Sequence, residues 1–149
     1  INLDLLLHEV LGFLEKEAIY RNLRVDFNYP EEPPKIVSDR GQLQQIFLNI
    51  INNAFAAVED GGHIEIGIER VHEDAVEVKI TDDGVGIPAE QLTHIFDPFF
   101  TTKKGAGTGL GLSITYGIVQ KLGGQIGVKS KLGEGTCFTV TLPIGQALA

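Results

Sequence analysis

Apolar residues near the start of the chain recur at helical spacing: Leu3, Leu6, Leu7, Val10, Leu11 and Leu14 share one face of a 3.6-residue repeat. The spacing predicts a helix over 3–20, with Asn2 as its N-cap. Leu23, Val25 and Phe27 then alternate with polar residues, as in a half-buried strand. Pro30 to Pro34 (PEEPP) cannot continue either element and predicts a surface loop. A second stripe, Leu43, Ile46, Phe47, Ile50, Ile51, Ala54 and Val58, predicts a long helix over 39–58, capped by Ser38 or Asp39 and ended by Gly61-Gly62. Ile64/Ile66/Ile68 and Val76/Val78/Ile80 alternate on either side of a polar stretch around His72 to Asp74, the pattern of a hairpin.

An irregular region follows from Asp83 to about Gly107, with one short helix near 90–95. A third main helix is predicted over 110–122, stopped by Gly123-Gly124, and two strands over 125–131 and 136–142 close the chain. The order α-β-α-β-β-α-β-β predicts an α/β two-layer sandwich (α+β), with three main helices on one face of a mixed, mostly antiparallel sheet of about five strands. The central irregular stretch is long for a connection, and such loops tend to be functional.

The 149 residues amount to about one domain, taken as 1–149. Twelve basic residues against 20 acidic ones give a net charge of −8, which argues against a nucleic-acid surface or direct membrane contact. A lone cysteine, Cys137, excludes an intrachain disulfide and a cysteine-built zinc site, and a packed strand residue is expected there. A cytoplasmic location is expected. With no methionine and Ile1 first, the chain is expected to be excised from a longer polypeptide, which could itself be membrane-anchored.

Candidate chemistry sits in three places. On the second long helix Gln45, Asn49 and Asn53 are spaced i, i+4, i+8, with Asn52 beside them. Asparagine costs up to about 0.7 kcal/mol against alanine inside a helix. The stripe is therefore either an asparagine-rich solvent face or a site where amide oxygens ligand a hard cation such as Mg²⁺. The second hairpin strand ends in Asp82-Asp83-Gly84-Val85-Gly86, either an acidic turn or a carboxylate placed where a flat ligand can approach the backbone. Gly84 to Ala89 also fits the loose G-x-G-x-x-A fingerprint, but no sizeable helix and parallel strand follow, so a dinucleotide fold is excluded.

Twelve of the 18 glycines lie between Gly84 and Gly135. Gly105, Gly107, Gly109 and Gly111 run into the third helix beside Lys103 and Lys104, an arrangement that is either a flexible loop or an anion site at a helix N-terminus. Phe96, Phe99 and Phe100 precede it and are most simply core residues. No GxxxxGK[ST] occurs.

Together these segments resemble the GHKL ATPase superfamily, and within it the catalytic, ATP-binding domain of bacterial sensor histidine kinases. QIFLNIINNAFAAV is similar to the family's N-box, DDGVGI to its first glycine box, IFDPFF to its phenylalanine box, GTGLGL to its second glycine box and GEGTCFTVTLP to its last strands. The resemblance spans Asn2 to Pro143 and implies the Bergerat ATP-binding fold. It implies that Asp82 binds the adenine amino group, with a water held partly by Thr136, while Gly84, Gly86 and Ile87 line the adenine. Asn53 would ligand Mg²⁺ and Asn49 would contact the metal or phosphates. Gly107, Thr108, Gly109, Leu110 and Gly111 would form the ATP lid, and Lys103 or Lys104 would approach the phosphates. Two positions depart from the family pattern. Ala56 stands where many sensor kinases carry a basic residue, as in nitrogen-regulatory-type kinases, and Asp83 stands where asparagine is usual.

Gyrase-type relatives carry a water-activating glutamate where this chain has Asn49, and an amide cannot act as a base. Transfer to a protein nucleophile is therefore expected over hydrolysis, because phosphoryl transfer needs mainly positioning and charge neutralisation. The implied activity is ATP-dependent phosphorylation of a histidine on the parent's helical hairpin, with a response regulator served through the parent and this domain monomeric. An ATP-gated interaction module, or a serine kinase acting on sigma-factor regulators, are the alternatives. His8 precedes Glu9 as acceptor histidines do, but Val10 to Phe13 lack the arginine and proline that follow in that motif. His63, His72 and His94 fit no metal spacing.

Overall fold

The computed structural model describes residues 1–97 and 111–145. Its elements are helices α1 (Leu3–Gly12) and α2 (Glu15–Tyr20), strand β1 (Arg24–Asn28), helix α3 (Arg40–Ala57), strands β2 (His63–His72) and β3 (Ala75–Asp82), helices α4 (Ala89–Leu92) and α5 (Gly111–Lys121), and strands β4 (Gln125–Lys131) and β5 (Gly135–Pro143). The strands form one sheet in the order β1-β2-β3-β5-β4. Only β1 and β2 pair in parallel, joined across α3; the other three pairings are antiparallel. α3 packs on β3 and β5, α5 on β4, and α1 on α3, which gives the two-layer sandwich expected from the element order.

The predicted first helix is two helices. The bonding pattern tightens where Phe13 N donates to Val10 O and Leu14 N to Leu11 O, three residues back instead of four. Gly12 weakens the helix at that point, and the apolar stripe ends at Leu14, so nothing draws the next turn into the core. α2 accordingly buries no residue. Asn2 occupies the N-cap position of α1 with extended backbone but makes no side-chain cap bond. Asp39 does cap α3, its carboxylate accepting from Gln42 N at 3.0 Å.

Strand alternation builds the core in rows across the sheet. Ile66, Ile80, Phe138 and Val128 are successive register partners, as are Ile68, Val78, Val140 and Ile126. These side chains face the helices, where Phe47, Ile50, Ile51 and Phe55 of α3 are fully buried. Glu65, Glu69, Lys79 and Thr81 are exposed on the opposite face, which no helix covers among the described residues.

Candidate functional site

The next core-facing row, at the end of the sheet, breaks the apolar rule. Ile64 pairs with Asp82, Asp82 with Thr136 and Thr136 with Ser130. Asp82 and Thr136 are each only 5% exposed. A carboxylate in that position is costly unless its acceptors are used. One carboxylate oxygen accepts from Gly84 N at 2.8 Å, closing a turn next to the C-terminus of α3.

The turn after Asp82 is clamped by backbone approaches. Val85 N donates to Ala57 O at the end of α3. A Cβ at Gly84 would collide with that same carbonyl. Gly86, at φ +78, lies against the Lys131 carbonyl, and Gly135, at φ +128, against Asp82 O. Beside the expected role of Gly84 and Gly86 next to a ligand, close contact between strand ends and the C-terminus of α3 also requires glycine at these positions. Ile87 is half-buried and its N–H donates to Ser130 Oγ at 2.7 Å. Ser130 Oγ also donates to Gly135 O at 2.9 Å and lies 2.8 Å from Thr136 Oγ1.

On α3 the asparagine stripe divides into two roles. Asn49 Nδ2 donates to Thr115 Oγ1 at 3.0 Å and to Gly111 O at 3.2 Å, while its Oδ1 accepts from Gln45 Nε2 at 2.9 Å. Thr115 Oγ1 in turn donates to Gly111 O at 2.8 Å. Asn49 therefore fastens α3 to the first turn of α5. Asn53, one turn on, is half-buried and its amide has no hydrogen-bond partner among the described residues. That amide oxygen fits a hard cation that also takes oxygens from a ligand. Among the described residues no cluster of three or more His, Cys, Asp or Glu could hold a metal by itself.

Lys103, Lys104, Gly107, Thr108, Gly109 and Leu110 lie outside the described residues, as do Phe99 and Phe100. Phe96 is half-buried, its ring 5.4 Å from that of Tyr116. Two clefts formed by described residues lie elsewhere. One, on the open sheet face, is lined by Glu65, Glu69, Glu77 and Lys79; the other is lined by Asp60, Asp83 and Gly84. Neither includes Asn53, Asp82 or Thr136.

Sequence reasoning missed three residues. Ser130 and the fully buried Thr115 occupy apolar positions in otherwise regular patterns, and that mismatch was the signal available. Arg21 gave no signal at all. Its guanidinium donates to Phe55 O at 2.8 Å, to Val58 O at 2.7 Å and to Asp60 at 2.8 Å, supplying the cation that the last turn of α3 lacks. Asp60 first, and Glu17 after it, hold the guanidinium pKa above its ordinary value against the opposing effect of burial. His8 stacks on Phe27 at 3.9 Å and its Nε2 lies 3.3 Å from the Tyr29 hydroxyl, so it braces α1 against β1. Cys137 is half-buried and accepts from Thr81 Oγ1 at 3.3 Å.

Residues 38–146 match the family described as histidine kinase-, DNA gyrase B-, and HSP90-like ATPase. Sporulation kinase E of Bacillus subtilis (strain 168) is 35% identical over 141 residues, which cover 95% of this chain and 19% of that one. The solved catalytic domain of histidine kinase ThkA, nucleotide-free, is 34% identical with a TM-score of 0.87, over 97% of this chain and 93% of that one. Full-length ShkA in complex with AMPPNP gives a TM-score of 0.88 at 28% identity, over 100% of this chain and 31% of that one. The chain spans only 19% of the length of sporulation kinase E and 38% of that of the adaptive-response sensory kinase SasA of Prochlorococcus marinus (strain MIT 9215).

Proposed function

The chain belongs to the histidine kinase-, DNA gyrase B- and HSP90-like ATPase family, and on that premise we propose that it is the catalytic and ATP-binding domain of a sensor histidine kinase. It binds ATP with Mg²⁺ and transfers the γ-phosphoryl group to a histidine on a helical hairpin outside these 149 residues. The observation that carries the reading is the polar end of the core-facing row, Asp82 and Thr136, clamped against the α3 helix that bears Asn53.

In this reading the Asp82 carboxylate accepts the adenine 6-amino group, and Gly84, Gly86 and Ile87 hold the turn that carries it. Asn53 offers its amide oxygen to the cation, which when bound neutralises phosphate charge. Asn49, with both amide protons engaged by α5, positions the start of that helix, and Gly107, Thr108, Gly109, Leu110, Gly111 and one of Lys103 and Lys104 meet the phosphates. The bond from γ-phosphorus to the β,γ-bridging oxygen breaks as a phosphorus–nitrogen bond to imidazole forms; ADP keeps the electron pair and the imidazole proton passes to solvent. No carboxylate stands at position 49 to activate water instead. The domain acts as a monomer on the cytoplasmic side and meets a response regulator through its parent. No helix among the described residues is long and apolar enough to cross a membrane.

Calorimetric titration with ATP and Mg²⁺ tests the proposal directly. Saturable binding by the unmodified chain, lost in Asp82→Ala, is expected; no binding by the unmodified chain overturns it. Because Val10 to Phe13 lack the arginine and proline that follow an acceptor histidine, the chain alone should form no phosphohistidine with ATP, and its appearance would contradict the assignment of the acceptor to another segment.

A further inference from the structure

The three contacts of Ser130 admit one complete proton assignment. A serine hydroxyl has one proton and two acceptor lone pairs. The Ile87 N–H, 2.7 Å away, can only donate, so it takes one lone pair. The Gly135 carbonyl, 2.9 Å away, can only accept, so it takes the proton. Thr136 Oγ1, 2.8 Å away, must then donate into the second lone pair. Any other arrangement leaves two oxygens facing each other with no proton between them. Ser130 is thus saturated, and the one hydroxyl proton of Thr136 is spent on it.

From this we infer that Ser130 is a specificity-determining positioning residue: it fixes the Thr136 hydroxyl as an acceptor in the row it shares with Asp82. The inference rests on the proposed nucleotide reading and deepens it. Asp82 and Thr136 are direct register partners on β3 and β5, and both are almost wholly buried. The carboxylate accepts, and the fixed hydroxyl accepts, so this end of the row offers lone pairs and no proton. It suits a purine with an amino group at position 6, or a water that donates to both groups. A 6-oxo purine would bring lone pairs against lone pairs in a desolvated place, where an unpaired polar group is most costly. Ser130 itself touches no base; it acts through the direction of the Thr136 proton.

The test compares binding of ATP and inosine triphosphate, which differ at position 6 and in protonation of the adjacent ring nitrogen, to the 149-residue chain with Mg²⁺. In Ser130→Ala the Thr136 proton is released and can donate to an oxo group. The ratio of ATP to inosine triphosphate affinity should then narrow by about tenfold, chiefly through recovered binding of inosine triphosphate. Ser130→Thr, which keeps the hydroxyl, should restore the ratio. In a Thr136→Val background, Ser130→Ala should change the ratio no further.

Equal weakening of both nucleotides by Ser130→Ala would reduce Ser130 to a structural brace and overturn the inference. So would a narrowing of the same size in the Thr136→Val background. Should Ser130→Ala not fold, Thr136→Val alone must narrow the ratio and Ser130→Thr alone must keep it; a ratio that Thr136→Val leaves unchanged overturns the inference. Failure of the unmodified chain to bind ATP is a different outcome, which removes the functional reading and this inference with it.

Discussion

Two groups of polar side chains lie near one end of the sheet, on opposite faces, and they differ in what they reveal. On the helix-covered face Asp82, Thr136 and Ser130 line up across β3, β5 and β4. On the open face Asp26 accepts from His63 Nε2 at 2.8 Å and pairs with Arg24 Nε at 2.9 Å across β1 and β2. Both are hydrogen-bonded networks on neighbouring strands. Asp82 is 5% exposed, whereas the side chains of Asp26 and His63 are 43% and 39% exposed. A solvated ion pair contributes little to stability, so the open-face network can sit on an exposed sheet edge without any function being needed to explain it. A carboxylate in a row that alternation reserves for isoleucine and phenylalanine is tolerated only where it is partnered, as Asp82 is by the Gly84 N–H at 2.8 Å. The buried network, and not the larger cleft among charged residues on the open face, is where the apolar pattern of the core is broken.

Backbone packing at the buried network and on the open face should show the difference most strongly. Gly135 sits at φ +128, and an added Cβ would run into Asp82 O, with Asp83 Cα only 3.1 Å away. Gly135→Ala is expected to cost about 3 kcal/mol, and to weaken ATP binding because the displaced strand carries Asp82. Gly67, in β2, has only Asn28 O near its hypothetical Cβ, at 3.5 Å, an ordinary contact. Gly67→Ala is expected to change stability by no more than about 1 kcal/mol, in the stabilising direction. Urea unfolding of the two variants side by side checks this. Similar losses in both would show that the two faces do not differ in the way described.

Charge removal comes next in size. Asp82→Asn keeps an oxygen for the Gly84 N–H and abolishes the buried charge, so stability should stay within about 1 kcal/mol of the parent or rise. ATP affinity should fall about 100-fold, because with the amide oxygen held by the Gly84 N–H the replacement turns an NH2 donor, not an acceptor, toward the adenine amino group. Asp26→Asn should leave affinity unchanged. Calorimetric titration of both variants separates the networks, and equal effects on affinity would erase the distinction.

The same contrast explains what could be read from sequence. Helix α3, the β2–β3 hairpin and the final strands follow from alternation and periodicity, because each buries a continuous stripe against one partner layer. The break at Phe13 and Leu14 did not follow, since a stripe shows which face is apolar but not where it stops meeting a core. Asp82 was conspicuous as a carboxylate at a strand end beside glycines, and the asparagines as polar residues inside a helix. The expected phosphate or metal contact of Asn49 came from its spacing and from the family resemblance, whereas the bonds of its amide protons to Thr115 and Gly111, partners more than 60 positions away, could not be foretold from spacing. Ser130 was overlooked because serine in a strand before a glycine turn looks like turn chemistry; only the register with Thr136 gives it a role. The parallel pairing of β1 with β2 was likewise set by long-range packing, not by local pattern.

Arg21 lies between the two networks in exposure and should lie between them in effect. Its side chain is 18% exposed, while that of Asp60 is 75% exposed. Most of its contribution therefore comes from the carbonyls of Phe55 and Val58 at the end of α3, and little from the ion pair. Arg21→Met is expected to cost about 2 kcal/mol, since hydrogen bonds from a charged donor to orphaned helix carbonyls are lost. Asp60→Asn should cost less than about 0.5 kcal/mol. If thermal unfolding ranks the two variants the other way, the ion pair and not the helix end is what Arg21 serves.

The smallest effect belongs to the open-face network and is legible in pH. The hydrogen bond from His63 above all, with the charge of Arg24 adding to it, holds the Asp26 carboxyl below its ordinary range against the opposing effect of burial. A carboxyl depressed in the folded state binds protons more readily in the unfolded one. Its stabilisation is therefore fully present above the unfolded value, about 3.9, and is lost as pH falls through the lower folded value. Thermal unfolding between pH 6 and pH 2 should show a steeper acid loss in the parent chain than in Asp26→Asn, with the curves converging at the acid end. The difference should shrink in high salt, as expected for exposed charges. A gap that persists in high salt would place Asp26 in a drier environment than its exposure indicates, and the open-face network would then have to be weighed alongside the buried one.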